Sequence, residues 1–192
     1  MTANSAVDTA PCPRSRLRTR LILATLSVGG FAALAWASFV SPLPRLVYNP
    51  SDSVAVGWYR VDPLERQSDP LHAGNIVLVS LPADAAALAA RRGYLPLGIP
   101  LLKPAAAVAP QTVCVTGGIV RIDGVPVATV LRVDGMGRPL RAWPSCHRLR
   151  PGELFLLSTT NPASFDSRYF GPVRSSAVLG VAHPVWLETR PR

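Results

Sequence analysis

Residues 112–133, TVCVTGGIVRIDGVPVATVLRV, read as three short strands in succession. The β-branched runs Thr112 to Val115, Ile119 to Ile122 and Val125 to Val133 are bounded by glycines, and Asp123-Gly124 between the last two is a tight hairpin signal. The same pattern extends outward to Gly57–Asp62, Asn75–Leu81 and Leu154–Ser158, each closed by Gly, Pro, Asp or Asn nearby. The 20 prolines and 14 glycines are scattered along the chain, which breaks long helices and rules out a helical bundle. The fold class expected is mainly β. One helix is expected over Ala83–Arg92, where alanine dominates, Pro82 suits the first turn and Gly93 suits the stop. Val61 to Leu71 is expected to be a loop, and the chain has no internal repeat or low-complexity tract.

The 192 residues fit one domain plus an appendage, not two enzyme domains. With 48% hydrophobic and 16% charged residues, a disordered chain is excluded. Leu21 to Val40, LILATLSVGGFAALAWASFV, has no charge, and a helix of this length at ~1.5 Å per residue crosses a hydrocarbon core of about 30 Å. Arg14, Arg16, Arg18 and Arg20 precede it, so the positive-inside rule puts residues 1–20 in the cytoplasm, 21–40 in the bilayer and 41–192 outside. A cleaved signal peptide is the competing reading, with Ala35-Trp36-Ala37 and Ala37-Ser38-Phe39 as its cleavage sites; the apolar run exceeds the ~7–15 residues usual for such signals.

A net charge of +9 raises nucleic acid as a partner, but the arginines crowd the N-terminal flank and no finger, basic zipper or aromatic RNA platform occurs. No direct nucleic-acid binding is expected. His72, His147 and His183 are isolated, which leaves no metal-ligand spacing, and neither a G-x-S-x-G elbow nor a phosphate-cradling glycine loop is present. No metal and no cofactor is expected. Cys12 lies before the apolar segment on the reducing side, while Cys114 and Cys146 lie in the exported part, where a disulfide and two buried thiols both fit.

Of the 20 basic residues a single one, Lys103, is a lysine. Arginine does not give up its proton, whereas a lysine whose pKa is lowered acts as a general base. Leu101-Leu102-Lys103-Pro104-Ala105-Ala106-Ala107 is apolar enough to desolvate it, although an incidental lysine has the same look. A base needs a nucleophile, and Asn49-Pro50-Ser51-Asp52-Ser53 follows the apolar segment closely; alone it also reads as a turn or capping motif.

Together these residues resemble a bacterial type I signal peptidase, most closely the TraF subgroup of conjugative-transfer peptidases. Asn49, Ser51, Ser53, Gly57 and Tyr59 are similar to the N-x-[ST]-x-S-x-P-x-G-x-Y block. Arg92-Gly93-Tyr94-Leu95-Pro96, Leu101-Leu102-Lys103 and Thr112-Val113-Cys114 resemble the second block, and Ser164 to Val173 the S-x-D-S-R-Y-x-G box. Gly137-Arg138-Pro139-Leu140, Trp143 and Cys146 also look TraF-like. The resemblance implies an antiparallel β catalytic domain behind one transmembrane helix, on the periplasmic side of the inner membrane. It implies Ser53 as nucleophile, Lys103 as base, Ser51 with the Ser53 amide as oxyanion hole, and Ser164, Asp166 and Arg168 in support. It further implies a Cys114–Cys146 disulfide and a pilin precursor or other preprotein as substrate, in the TraF subgroup with cyclisation of the pilin. A general signal peptidase and a non-catalytic bitopic scaffold of the transfer channel are the alternatives. Ala55 departs from the family's proline, and Ala109-Pro110-Gln111 from its Pro-Gly-Asp turn; neither removes a reacting atom.

Overall fold

The structure, a computed structural model, describes residues 13–39, 46–64 and 70–189. It divides into two units, Met1–Pro42 and Leu43–Arg192. In the first, helix α1 (Pro13–Phe39) carries all four N-terminal arginines and starts on proline, whose fixed φ and missing N–H suit a first turn. Its Leu17–Trp36 stretch is long and apolar enough to cross a membrane, a property shared by anchors and signal sequences. Cys12 and the end of the expected span at Val40 lie outside the described residues.

The second unit is antiparallel β structure. One sheet has the order β1 (Leu46–Asn49), β2 (Gly57–Pro63), β11 (Val178–Leu187), β3 (Ile76–Val79), β4 (Leu101–Val108), β9 (Glu153–Leu156), β10 (Val173–Arg174). The other has the order β7 (Val125–Thr129), β6 (Ile119–Ile122), β5 (Thr112–Thr116), β8 (Cys146–Arg148). Helix α2 (Ala83–Arg92) lies between β3 and β4 in sequence, and the short α3 (Ser167–Phe170) follows β9. Helix α2 occupies the expected span, with Pro82 as N-cap instead of in the first turn, and Gly93 in the left-handed conformation that ends it. The hairpin at Asp123-Gly124 joins β6 to β7.

Other boundaries differ from expectation. The third strand of the opening stretch ends at Thr129, not Val133; Val130 still donates to the Gly118 carbonyl at 2.9 Å, one step past the Ile119–Thr129 pair, and the partner strand β6 offers nothing beyond. The expected loop from Val61 begins inside β2, which runs on to Pro63 opposite Gly180; residues 65–69 of it lie outside the described ones. Strands β1, β4, β8, β10 and β11 were not among those expected.

Strand β4 switches partner along its length: Leu101 to Pro104 pair with β3, and Ala105 to Val108 pair with β9. It is therefore enclosed on both edges. Alternation along the strand places Lys103 in line with Ala105 and opposite Val77, on the face that carries Val77, Val79, Ala105, Leu154 and Leu156 into one buried cluster. Leu102 points the other way, into Val54, Tyr59, Val61 and Leu78. A third cluster around Val113, Val120 and Phe155 joins the smaller sheet to β9, and the Cys114–Cys146 disulfide clips β5 to β8 at directly paired positions.

Candidate active site

Ser53 sits in the turn between β1 and β2, and Asn49 builds that turn from inside. The buried Asn49 amide donates to the carbonyls of Ser51, Val54 and Ala55 at 2.7, 3.2 and 3.1 Å. Its Oδ1 accepts from the Ser51 amide at 3.3 Å and the Ser51 hydroxyl at 2.9 Å. The Tyr59 hydroxyl donates to the Ala55 carbonyl at 2.7 Å, and Thr160 Oγ1 donates to the Asp52 carbonyl at 3.1 Å, bringing in the 158–164 segment. The turn leaves through Gly57, where any side chain would collide with the Trp186 carbonyl of β11.

Lys103 reaches this turn from the middle of the sheet. It is 2% exposed, and its Nζ donates to Ser164 Oγ at 2.5 Å. Ser164 Oγ in turn lies 3.4 Å from Ser53 Oγ, and both serines are buried. Among the described residues no direct hydrogen bond joins Lys103 to Ser53. Burial in this apolar setting pushes the Lys103 ammonium down to about 8; nearby Asp166 raises it and Arg168 lowers it, by smaller amounts.

Ser164 is held from behind by Asp166 and Arg168, both 0% exposed. Their two contacts, Nε to Oδ1 and Nη2 to Oδ2, are each 2.8 Å, the bidentate geometry a planar guanidinium favours. Arg168 also donates to the carbonyls of Thr129, Asn161 and Ser164 at 3.0, 3.2 and 3.2 Å. Asp166 caps α3 and accepts from the Ser158 amide at 3.1 Å. A buried ion pair is stable when every donor and acceptor is used, and no buried side-chain polar atom among the described residues lacks a partner.

Ser51, Ser53, Lys103 and Phe165 line one cleft of about 600 Å³, walled by apolar side chains including Leu95, Ile99 and Leu102. A larger hollow of about 1020 Å³ lies against Val108, Pro110, Leu149 and Leu154 and contains none of them. Ser51 is exposed at the cleft, with its hydroxyl engaged by Asn49. The structure thus brings together Ser51, Ser53, Lys103, Ser164, Asp166 and Arg168 from three separate segments. Cys114 and Cys146, 32 residues apart, are joined in the smaller sheet and line neither hollow. The three histidines stay apart: His147 contacts Glu153, His183 lies 3.6 Å from Asp62, and His72 faces Asn75. Sequence reasoning did not assign Asn49 its role as the scaffold of the Ser53 turn, and Thr160 carried no signal at all.

The family model described as "Signal peptidase, peptidase S26" matches residues 18–187. The conjugal transfer protein TraF of Agrobacterium fabrum is 36% identical, covering 87% of this chain and 96% of its own. TraF of Agrobacterium tumefaciens is 34% identical over the same shares, 87% and 96%. A plasmid transfer protein TraF from Escherichia coli is 31% identical over 83% of this chain and 93% of that one. A signal peptidase I from Enterococcus faecalis is a distant likeness, 22% identical over 60% of this chain and 98% of the other, with a TM-score of 0.36. By the reach of the family match and the identity to these relatives, the chain belongs to the peptidase S26 family of signal peptidases, alongside the TraF transfer proteins.

Proposed function

We propose that this chain is a membrane-anchored serine endopeptidase with Ser53 as nucleophile and Lys103 as general base. The observation that carries the reading is the buried run from Lys103 Nζ through Ser164 Oγ to Ser53 Oγ, at 2.5 and 3.4 Å. An ordinary lysine is neutral in fewer than ~1 molecule in 1000 at pH 7, whereas one lowered to about 8 is neutral in roughly one in ten. That is a working base near neutral pH.

Ser53 Oγ attacks the scissile carbonyl while its proton passes to the Lys103 amine, which Ser164 orients. The resulting ammonium protonates the departing amine, leaving an acyl ester on Ser53. The Ser53 amide and the Ser51 hydroxyl stabilise the oxyanion, which requires Ser51 Oγ to swing away from Asn49 Oδ1, its present acceptor at 2.9 Å. Asp166 and Arg168 do no chemistry in this scheme and fix the Ser164 segment. No metal, cofactor or nucleic acid enters it.

The transfer names of the relatives support a place in conjugation; the substrate we assign, a pilin precursor, follows from the TraF resemblance of the sequence. The four arginines before the apolar helix support an inner-membrane anchor at 21–40, with residues 1–20 cytoplasmic and 41–192 in the periplasm. Interception of the acyl ester by the pilin's own amine instead of water yields a cyclic product, one water lighter than the linear chain. The test is cleavage of a co-expressed pilin precursor and of a reporter preprotein by wild type, Ser53→Ala and Lys103→Met. Pilin processing is expected to vanish in both variants; equal processing by all three sinks the proposal, and a product of linear mass alone sinks the cyclisation step.

A further inference from the structure

Two segments of the family-like sequence, Arg92-Gly93-Tyr94-Leu95-Pro96 and Gly137-Arg138-Pro139-Leu140, supply no reacting atom, yet they meet. They join at Asp134. Its Oδ1 serves its own loop, accepting from the amides of Met136 and Arg138 at 2.9 Å each. Its Oδ2 serves the partner segment, accepting from the Tyr94 hydroxyl at 2.5 Å and from Arg92 Nη1 at 3.4 Å, with Arg138 Nε added at 2.7 Å. Arg92 Nη2 donates to the Pro139 carbonyl at 2.7 Å, and Arg138 Nη2 donates back to the Arg92 carbonyl at 3.1 Å. A turn at 134–137 needs only the Oδ1 bonds; apart from the local Arg138 Nε contact, the rest ties residues 40 or more apart in sequence.

Both tied stretches contribute to the lining of the same cleft, Leu95 and Ile99 from one and Gly135 and Leu140 from the other. The tie is continued by aromatic rings: Tyr94 packs on Phe165 with centroids 5.3 Å apart, and Phe165 stacks on Tyr169 at 5.8 Å. Tyr169 closes the circuit by accepting from the Leu131 amide at 3.3 Å, at the root of the segment that holds Asp134. Phe165 adjoins Ser164, so the circuit borders the nucleophile's neighbourhood. Although burial pushes the Asp134 carboxyl up, the hydrogen bonds from Tyr94, Arg138 and Met136 hold it well below the usual carboxylate range, so it stays ionised.

The geometry points to Tyr94 and Asp134 as a clasp that fixes the width of the cleft beside Ser53 and thereby sets the size of apolar substrate side chain admitted there. The occupant's being a peptide rests on the endopeptidase reading above. Side-chain size is the property such a pocket discriminates, by about tenfold or more per methylene-scale change. The clasp residues are positioning residues, since they touch the wall and not the reacting atoms.

The test uses the full chain carrying Ser53→Ala, so that binding is read without turnover. Tyr94→Phe keeps the ring against Phe165 and removes the hydroxyl; Asp134→Asn keeps an acceptor for the two loop amides. Short fluorescent apolar peptides differing only in Ala, Val or Leu at a single position are titrated against parent and variants. The parent is expected to discriminate among the three side chains, and each variant to narrow that preference by about tenfold while still unfolding cooperatively. Equal weakening for every peptide, an unchanged preference, or no binding by the parent overturns the inference. Turnover of the same peptides by the Ser53-bearing chain tests the endopeptidase reading separately: cleavage with the preference unmoved in Tyr94→Phe keeps that reading and sinks the clasp.

Discussion

Replacing Lys103 by methionine removes a charge from a site that disfavours it, so the variant is expected to be inactive and more stable at once. Lys103 is 2% exposed, and its pKa falls from 10.5 to about 8 on folding. The folded value is the lower one, so the unfolded chain binds the extra proton between these two values and stability rises with pH across that window. Below pH 8 the penalty is fully present; above about 10.5 it is gone. From the two pKa values the penalty at pH 7 is about 3 kcal/mol, and at pH 9.5 it has fallen to about 1 kcal/mol. Methionine of similar length carries no such penalty. The advantage of Lys103→Met over wild type is therefore expected to shrink by about 2 kcal/mol between pH 7 and pH 9.5. Any difference between the ammonium and the amine as donor to Ser164 is already contained in the shifted pKa and adds no further term to the difference. Urea denaturation of the full chain in detergent, followed by tryptophan fluorescence, reads it directly. A stability difference that does not move with pH, or that grows, refutes the desolvated lysine and with it the argument for a base.

Asn49→Ala strips the Ser53 turn of an amide making three donated contacts and of an acceptor, and is expected to cost about 2 kcal/mol in denaturation while lowering kcat by about a hundredfold through misplacement of Ser53. A kcat loss no larger than the loss of folded protein contradicts that role. The double change Cys114→Ser, Cys146→Ser opens a link between residues 32 apart and is expected to lower stability by about 3 kcal/mol. Reductant should reproduce the loss in wild type and add nothing in the variant.

How far the sequence disclosed this molecule differs from element to element for physical reasons. Helix α2 and strands β5 and β6 stand out because propensity, pattern and flanking glycines agree in them. Strand β4 does not, since LLKPAAAV combines a proline, a lysine and three alanines, all poor strand formers. Its conformation is imposed by β3 on one edge and β9 on the other, and Pro104 is tolerated because it stands where β4 changes partner. Strand β11 is hidden in the same way by Gly180 and Pro184, where its pairing with neighbours shifts. For the site, composition isolated Lys103 by its uniqueness; the Ser53 stretch was offered by its place just after the apolar segment, where a turn fits equally, and Ser164 is an ordinary serine that only the resemblance singled out. Asp134 and Thr160 act through contacts to segments 40 and 108 residues away, which no local pattern encodes.

Strand register holds Lys103 and Asn49 holds the Ser53 turn; the ion pair behind Ser164 has a subtler part. A carboxylate near a buried amine would draw a proton onto it, and Asp166 does raise the Lys103 pKa. Arg168, bound to both Asp166 oxygens, acts in the opposite sense, so the pair anchors Ser164 without returning the lysine to its charged form. Asp166→Asn separates the two effects. It keeps a side-chain acceptor at the cap but removes the charge, so the Lys103 pKa should fall below about 8 and the rising limb of kcat/KM against pH should move to lower pH. Stability should fall at the same time, because Arg168 then sits buried beside a neutral partner. A limb that moves to higher pH, or stays in place while stability falls, would mean that Asp166 does not act on the lysine's charge at all and that its burial serves only the fold.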